Sequence, residues 1–240
     1  MQESINNSME LLNKMLKDCS LDADSPNVVN KVTKKAINNV PYINFPGLSK
    51  MQCLTIQVLE KDLLLYSSQK NQNKEVVTIF RLDKNIGDKD RVKIIYGDEN
   101  ITKIFSGKED YNYILTHPED IVVVLLHNHP NDTPLSVNDF LFFISNPAIK
   151  LMTAIENSTG SVYYIARFNK GETNDKKRFS EIIIGLAEDE LKNANSFEDK
   201  CGIFKRYIKS AVDLWLGESI RKGTVTIDSA ENKEVLYHGR

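Results

Sequence analysis

The sequence predicts an α/β (α+β) fold, a central mixed β-sheet of about five strands flanked by N-terminal and C-terminal helices. Three observations carry this. Short β-branched runs alternate with turns and helical stretches between about residues 70 and 168. Apolar residues recur at helical spacing before and after that region. The run Ile121 to Leu126 is continuously apolar and of strand length, which suits a strand covered on both faces and therefore a layered sheet.

The elements follow in order. Ile5, Met9, Leu12 and Leu16 predict a helix over 1–20. Ser25-Pro26 reads as an N-cap with proline at the first helical position, opening a second helix to about Asn38. Pro41 to Gly47 is turn-rich and reads as a linker. Ser49 caps a longer helix to about Ser68, with Leu54, Val58, Leu59, Leu63 and Leu65 as its apolar residues. Strands are expected over 75–82 and 91–96, with a turn between them. A helix over 108–116 closes at His117-Pro118, and a buried strand then ends at His127. Ser136 opens a helix through Ser145. Strands over 149–155 and 162–168 meet at the turn Ser158-Thr159-Gly160. Helices over 174–194 and 197–221 complete the chain, and the tail from Gly223 has the makings of one last strand.

Composition narrows the function. The chain has 240 residues, 41% hydrophobic and 27% charged, which is the ordinary globular range. A net charge of −2 leaves no global basic footprint for nucleic acid. No apolar run approaches the ~20 residues of a membrane span, and the polar N-terminus does not resemble a secretory signal. Cys19, Cys53 and Cys201 are far apart, so the expectation is three ordinary thiols in a reducing, cytoplasmic setting. Abundant Asn and Lys fit a bacterial, phage or mobile-element origin.

The chemistry concentrates in Leu126 to Asp139 (LHNHPNDTPLSVND). Side chains alternate along a strand, so His127 and His129 project from one face and can converge on one metal ion. Asp139, one turn into the following helix, can return to the same point. Two imidazoles, one carboxylate and an open position form the layout of a catalytic zinc site. Ser136-x-x-Asp139 also reads as a helix-capping pair, and both readings stand at this level. The letters His-Asn-His lack the cysteine pairs and ββα layout of an HNH nuclease. His117 and His238 read as structural and terminal. Trp215, with Ile208, Val212 and Leu216, reads as core or interface, and Lys176-Lys177-Arg178 as a solvated helix start.

His-x-His-Pro followed by Ser-x-x-Asp resembles the JAMM signature of JAB/MPN-type zinc metallopeptidases, and its context is similar to the RadC-type and mobile-element branch. The resemblance covers about residues 73–168. It implies zinc bound by His127, His129 and Asp139, Ser136 as a donor to the developing oxyanion, and an upstream glutamate as general base. Glu75, opening the first strand, is the glutamate whose order and distance fit. Glu60 is the alternative, and its charged neighbours Lys61 and Asp62 suggest a solvated helix face. Six residues separate His129 from Ser136, one fewer than the family pattern. The organisation expected is an N-terminal helical segment and linker over 1–46, a JAB/MPN-like domain over 47–168 and a C-terminal helical extension over 169–240.

The function implied is zinc-dependent hydrolysis of a peptide or isopeptide bond. The alternative is a catalytically silent JAB-like interaction module, or a RadC-like protein associated with nucleic acid. A peptide or protein substrate is the expected partner in the first case. In the second, the flanking helices would bind a protein.

Overall fold

The computed structural model describes residues 28–85, 87–89, 91–97, 123–168 and 175–231. Among these the elements run α1 Lys34–Asn39, α2 Lys50–Lys70, β1 Val76–Arg81, β2 Val92–Tyr96, β3 Val123–His129, α3 Val137–Ser145, β4 Ile149–Glu156, β5 Val162–Arg167, α4 Asp175–Lys192, α5 Phe197–Arg221 and β6 Val225–Ala230. Helix starts are written in the sequence. Ser49, Ser136 and Ser196 each cap a helix while Gln52, Asp139 and Asp199, three residues on, bond back to the cap backbone.

The strands form one mixed sheet in the order β2-β1-β3-β4-β5-β6. Only β3 and β4 pair in parallel, and α3 is the crossover between them. Each sheet face has its own apolar core. Val77, Ile79, Leu125, Met152 and Ile165 face α3, α4 and α5, against Phe143, Phe179, Phe204 and Trp215. Val76, Phe80, Val124, Leu126 and Leu151 face α1 and α2, against Cys53, Ile56, Leu63 and Leu64. The buried Arg167 ties the first layer together. It pairs with Asp175 at 3.0 Å and donates to the carbonyls of Phe143, Asn146 and Ile149, so it joins β5 to the end of α3 and the start of α4.

The α/β expectation holds, with six strands where about five were expected. The sixth is the tail: β6 pairs with β5 from Arg167↔Val225 to Val162↔Ala230. Trp215 is core, as its spacing suggested. Three expectations need correction. Residues 28–33 are not helical, and α1 starts only after the Thr33 cap, so the second helix is shorter than the Ser25-Pro26 signal implied. Leu54 and Val58 are exposed. The buried stripe of α2 is Cys53, Ile56, Glu60, Leu63, Leu64 and Ser67, because the helix turns a mixed face to the sheet. Cys201 is disulfide-bonded while Cys53 is a free buried thiol, since sequence spacing does not tell which thiols meet in space. The helices expected over 1–20 and 108–116, Ser25-Pro26, Cys19, His117 and His238 lie outside the described residues. No helix among the described residues is long and apolar enough to cross a membrane.

Candidate metal centre

β3 runs through both histidines, so the period of two puts His127 and His129 on the face that packs against α3. The chain leaves β3 at Pro130, and α3 begins at Val137 beneath the Ser136 cap. That places Asp139 in the first turn, over the carboxyl end of the parallel pair β3–β4. Ligand sites in open α/β sheets favour this position. The three side chains meet in the interior: His127 is 0% exposed, Asp139 2% and His129 8%.

The three side chains lie close enough to hold one ion. The two Nε2 atoms lie 2.9 Å apart. His127 Nε2 is 3.3 Å from Asp139 Oδ1, and His129 Nε2 is 3.4 Å from Oδ2. A tetrahedral ion with bonds of ~2.0–2.1 Å has ligand–ligand edges of about 3.3 Å, so these separations can accommodate one. Among the described residues this is the one group of three or more His, Cys, Asp or Glu side chains arranged to hold a metal ion.

Surrounding groups orient each donor. His129 Nδ1 donates to the Thr133 carbonyl at 2.8 Å, which places a proton there and turns Nε2 inward. The Thr133 hydroxyl is itself turned toward Asn131 Oδ1 at 2.8 Å. Asp139 Oδ2 accepts from the Ser136 amide at 2.6 Å and hydroxyl at 2.7 Å, so Oδ1 is the oxygen left for a cation. Asp132, in left-handed backbone, secures the loop. It accepts from Asn30 Nδ2 at 2.6 Å and from the Ser158 amide at 3.0 Å.

The electrostatics couple the three groups to one another. Burial would raise the Asp139 carboxyl, but the two imidazoles outweigh it and hold the group well below its ordinary range. Burial pushes His127 down, toward the neutral imidazole that metals bind, against the pull of Asp139. Burial also opposes charge on His129, yet Asp139, Glu75 and the Thr133 carbonyl together raise it to about 9, so an ion held at Nε2 would displace a proton from it. The two Nε2 atoms lie at hydrogen-bond distance, so one donates a proton to the other, and a metal ion held by both would take that proton's place.

Glu75 immediately precedes β1, and the register Val77↔His127 puts it near the level of His129 on the same face. It is buried, and its Oε1 has no hydrogen-bond partner. Burial pushes its carboxyl up to about 8; the His129 charge lowers it and the Asp139 charge raises it. The structure therefore brings Glu75 to the cluster. Glu60 goes elsewhere: it is fully buried, not solvated, and faces the sheet from α2 on the opposite side. The helical stripe that carries Cys53, Ile56 and Leu63 carries Glu60 inward with it. Ser136 is the cap of α3, and its hydroxyl is engaged with Asp139.

Thr133, which holds His129, and Asp132, which holds the loop after it, carry no signal in the sequence beyond a place inside the motif, and neither does the buried Asn128. No family model, curated protein or solved structure matches this chain.

Proposed function

We propose that the chain is a zinc-dependent hydrolase that cleaves an amide bond, peptide or isopeptide, as its likeness to the JAMM signature implies. The observation that carries this reading is the convergence of His127, His129 and Asp139 at ligand-to-ligand distances, with the Glu75 carboxyl, whose Oε1 has no hydrogen-bond partner, near them. Two imidazoles and a carboxylate with nitrogen and oxygen donors suit zinc. Zinc bound there would supply Lewis acidity and make water acidic enough to react near pH ~7.

The chain's own groups supply the rest. The Thr133 carbonyl and the Ser136 cap keep His129 and Asp139 from turning away. Glu75 takes the proton of the attacking water and returns it to the leaving amine, a role that suits a carboxylate with a free oxygen and a raised pKa. Ser136 is the candidate donor to the oxyanion, and to serve it must exchange its bond to Asp139.

Elemental mass spectrometry on untagged protein tests the ligand set. About one zinc per chain is expected, and none in the His127→Ala/His129→Ala double variant. Mass spectrometry of a mixed peptide and isopeptide library then reads amide cleavage. Turnover is expected in the wild type and not in Glu75→Gln, which keeps its zinc. Absence of zinc from the wild type after metal addition overturns the proposal.

Burial of all three donors favours a second reading, a metal that braces the fold without catalysis. It predicts bound zinc, no cleavage by wild type, and a lower Tm after chelation.

A further inference from the structure

Asn128 lies between the two histidines and points to the opposite face of the sheet, fully buried. The β1–β3 ladder ends at Val77↔His127. At the next position the Asn128 side chain takes over: its Oδ1 accepts from the Val76 amide at 2.7 Å. Its Nδ2 faces Asn157 Oδ1 at 2.7 Å, Ser67 Oγ at 3.2 Å and the Lys74 carbonyl at 3.3 Å. Lys74 and Val76 are the two neighbours of Glu75, so one side chain grips the backbone on both sides of the carboxyl.

Two further asparagines complete the grip. Asn157 donates to the carbonyls of Asn73 at 2.8 Å and Asn30 at 2.9 Å. Asn71 donates to the Glu75 carbonyl at 2.7 Å and the Gly97 carbonyl at 2.9 Å. The Gly97 amide also donates to the Glu75 carbonyl at 3.0 Å, continuing the β1–β2 pairing. The peptide groups around Glu75 are fastened to the residue that separates the two imidazoles.

We propose that Asn128 is a positioning residue that sets the Glu75 carboxyl against the metal cluster by tying Lys74 and Val76 to the strand of the two histidines. This inference rests on the metallohydrolase reading, with Glu75 as the group that accepts a proton.

Acetohydroxamic acid is the probe, because it binds zinc and gives up a proton that a neighbouring carboxylate can take. Its affinity is measured by calorimetry on the zinc-loaded full chain, for wild type, Asn128→Ala, Glu75→Gln and the double variant. Asn128→Ala should keep about one zinc per chain and weaken the hydroxamate about tenfold or more. In the Glu75→Gln background the same change should matter less than about twofold, because the group that Asn128 positions is gone. Asn128→Ser retains an acceptor for the Val76 amide and should recover part of the affinity. It takes the place of Asn128→Ala in the same comparison if the alanine variant does not hold its fold.

Unchanged hydroxamate affinity with zinc bound overturns the positioning role and leaves the metal site standing. An undiminished loss in the Glu75→Gln background overturns it too, since Asn128 would then act on the ligands or the fold. A wild type without zinc overturns both readings at once.

Discussion

Glu60 carries a carboxyl into an apolar layer beside the Thr153 hydroxyl, and burial raises it from 4.5 to about 8. The Thr153 hydroxyl pulls in the other direction, with a smaller effect. The folded state therefore keeps a proton that the unfolded chain loses above pH ~4.5. This group costs nothing below that pH. Its cost grows as pH rises toward 8 and levels off above. Glu60→Gln should stabilise the protein at pH 8.5 by a few kcal/mol, on the order of 1.4 for each tenfold difference in proton affinity, and leave stability at pH 4 nearly unchanged. Denaturant melts at the two pH values check it, and equal effects at both would refute it. At Ser136 the hydroxyl both caps α3 and holds Asp139. Ser136→Ala should cost about 1 kcal/mol of stability and about 10–100-fold in zinc affinity. A chelator competition titration reads the second effect.

Elements are joined at two points where single residues decide the packing. Gly160 has φ +77° in the β4–β5 turn, and a Cβ there would lie 2.2 Å from the Ala36 carbonyl oxygen in α1. Gly160→Ala should cost more than ~1 kcal/mol from backbone conformation alone, with the clash in addition. Its Tm should fall by at least about 2–4 °C. Arg167 is the second point, with its guanidinium stacked 3.7 Å over the Phe143 ring and bonded to Asp175. Arg167→Met should destabilise by roughly 3–5 kcal/mol, because Asp175 and several carbonyls lose their buried donor. A thermal melt no different from wild type would show that α3 and α4 are held by their apolar contacts alone.

Across the whole molecule, the C-terminal stretch is integral to the sheet. α4 and α5 cover the face that carries the candidate metal site through Phe179, Phe204 and Trp215, and β6 closes the β5 edge. A chain ending at Lys222 would lose Val225 from the core and leave the six-residue β5 as an open edge. It should melt lower and associate, which light scattering and calorimetry would detect. The site draws on the same assembly: β3 brings the imidazoles, α3 the carboxylate, and the start of β1 Glu75. The residues preceding α1 add Asn30, which donates to Asp132.

Much of this was legible in the chain itself. Period-two alternation determined that His127 and His129 share a face, and the Ser136-x-x-Asp139 spacing determined a capped helix start that places Asp139 in its first turn. These are local relations, and local backbone geometry suffices to produce them. The inward turn of Glu60 was not legible, because α2 has apolar residues on several sides and only the sheet selects which stripe is buried. The Asn128 grip on Lys74 and Val76 was hidden for a related reason. It joins residues about fifty positions apart, and an asparagine in a strand reads as polar whether it faces water or a buried backbone. The sequence by itself determined the strands, the capped helices and the three candidate ligands. Only the tertiary structure decided which carboxyl meets them, because strand pairing brought Glu75 to the cluster and helix packing carried Glu60 to the other face.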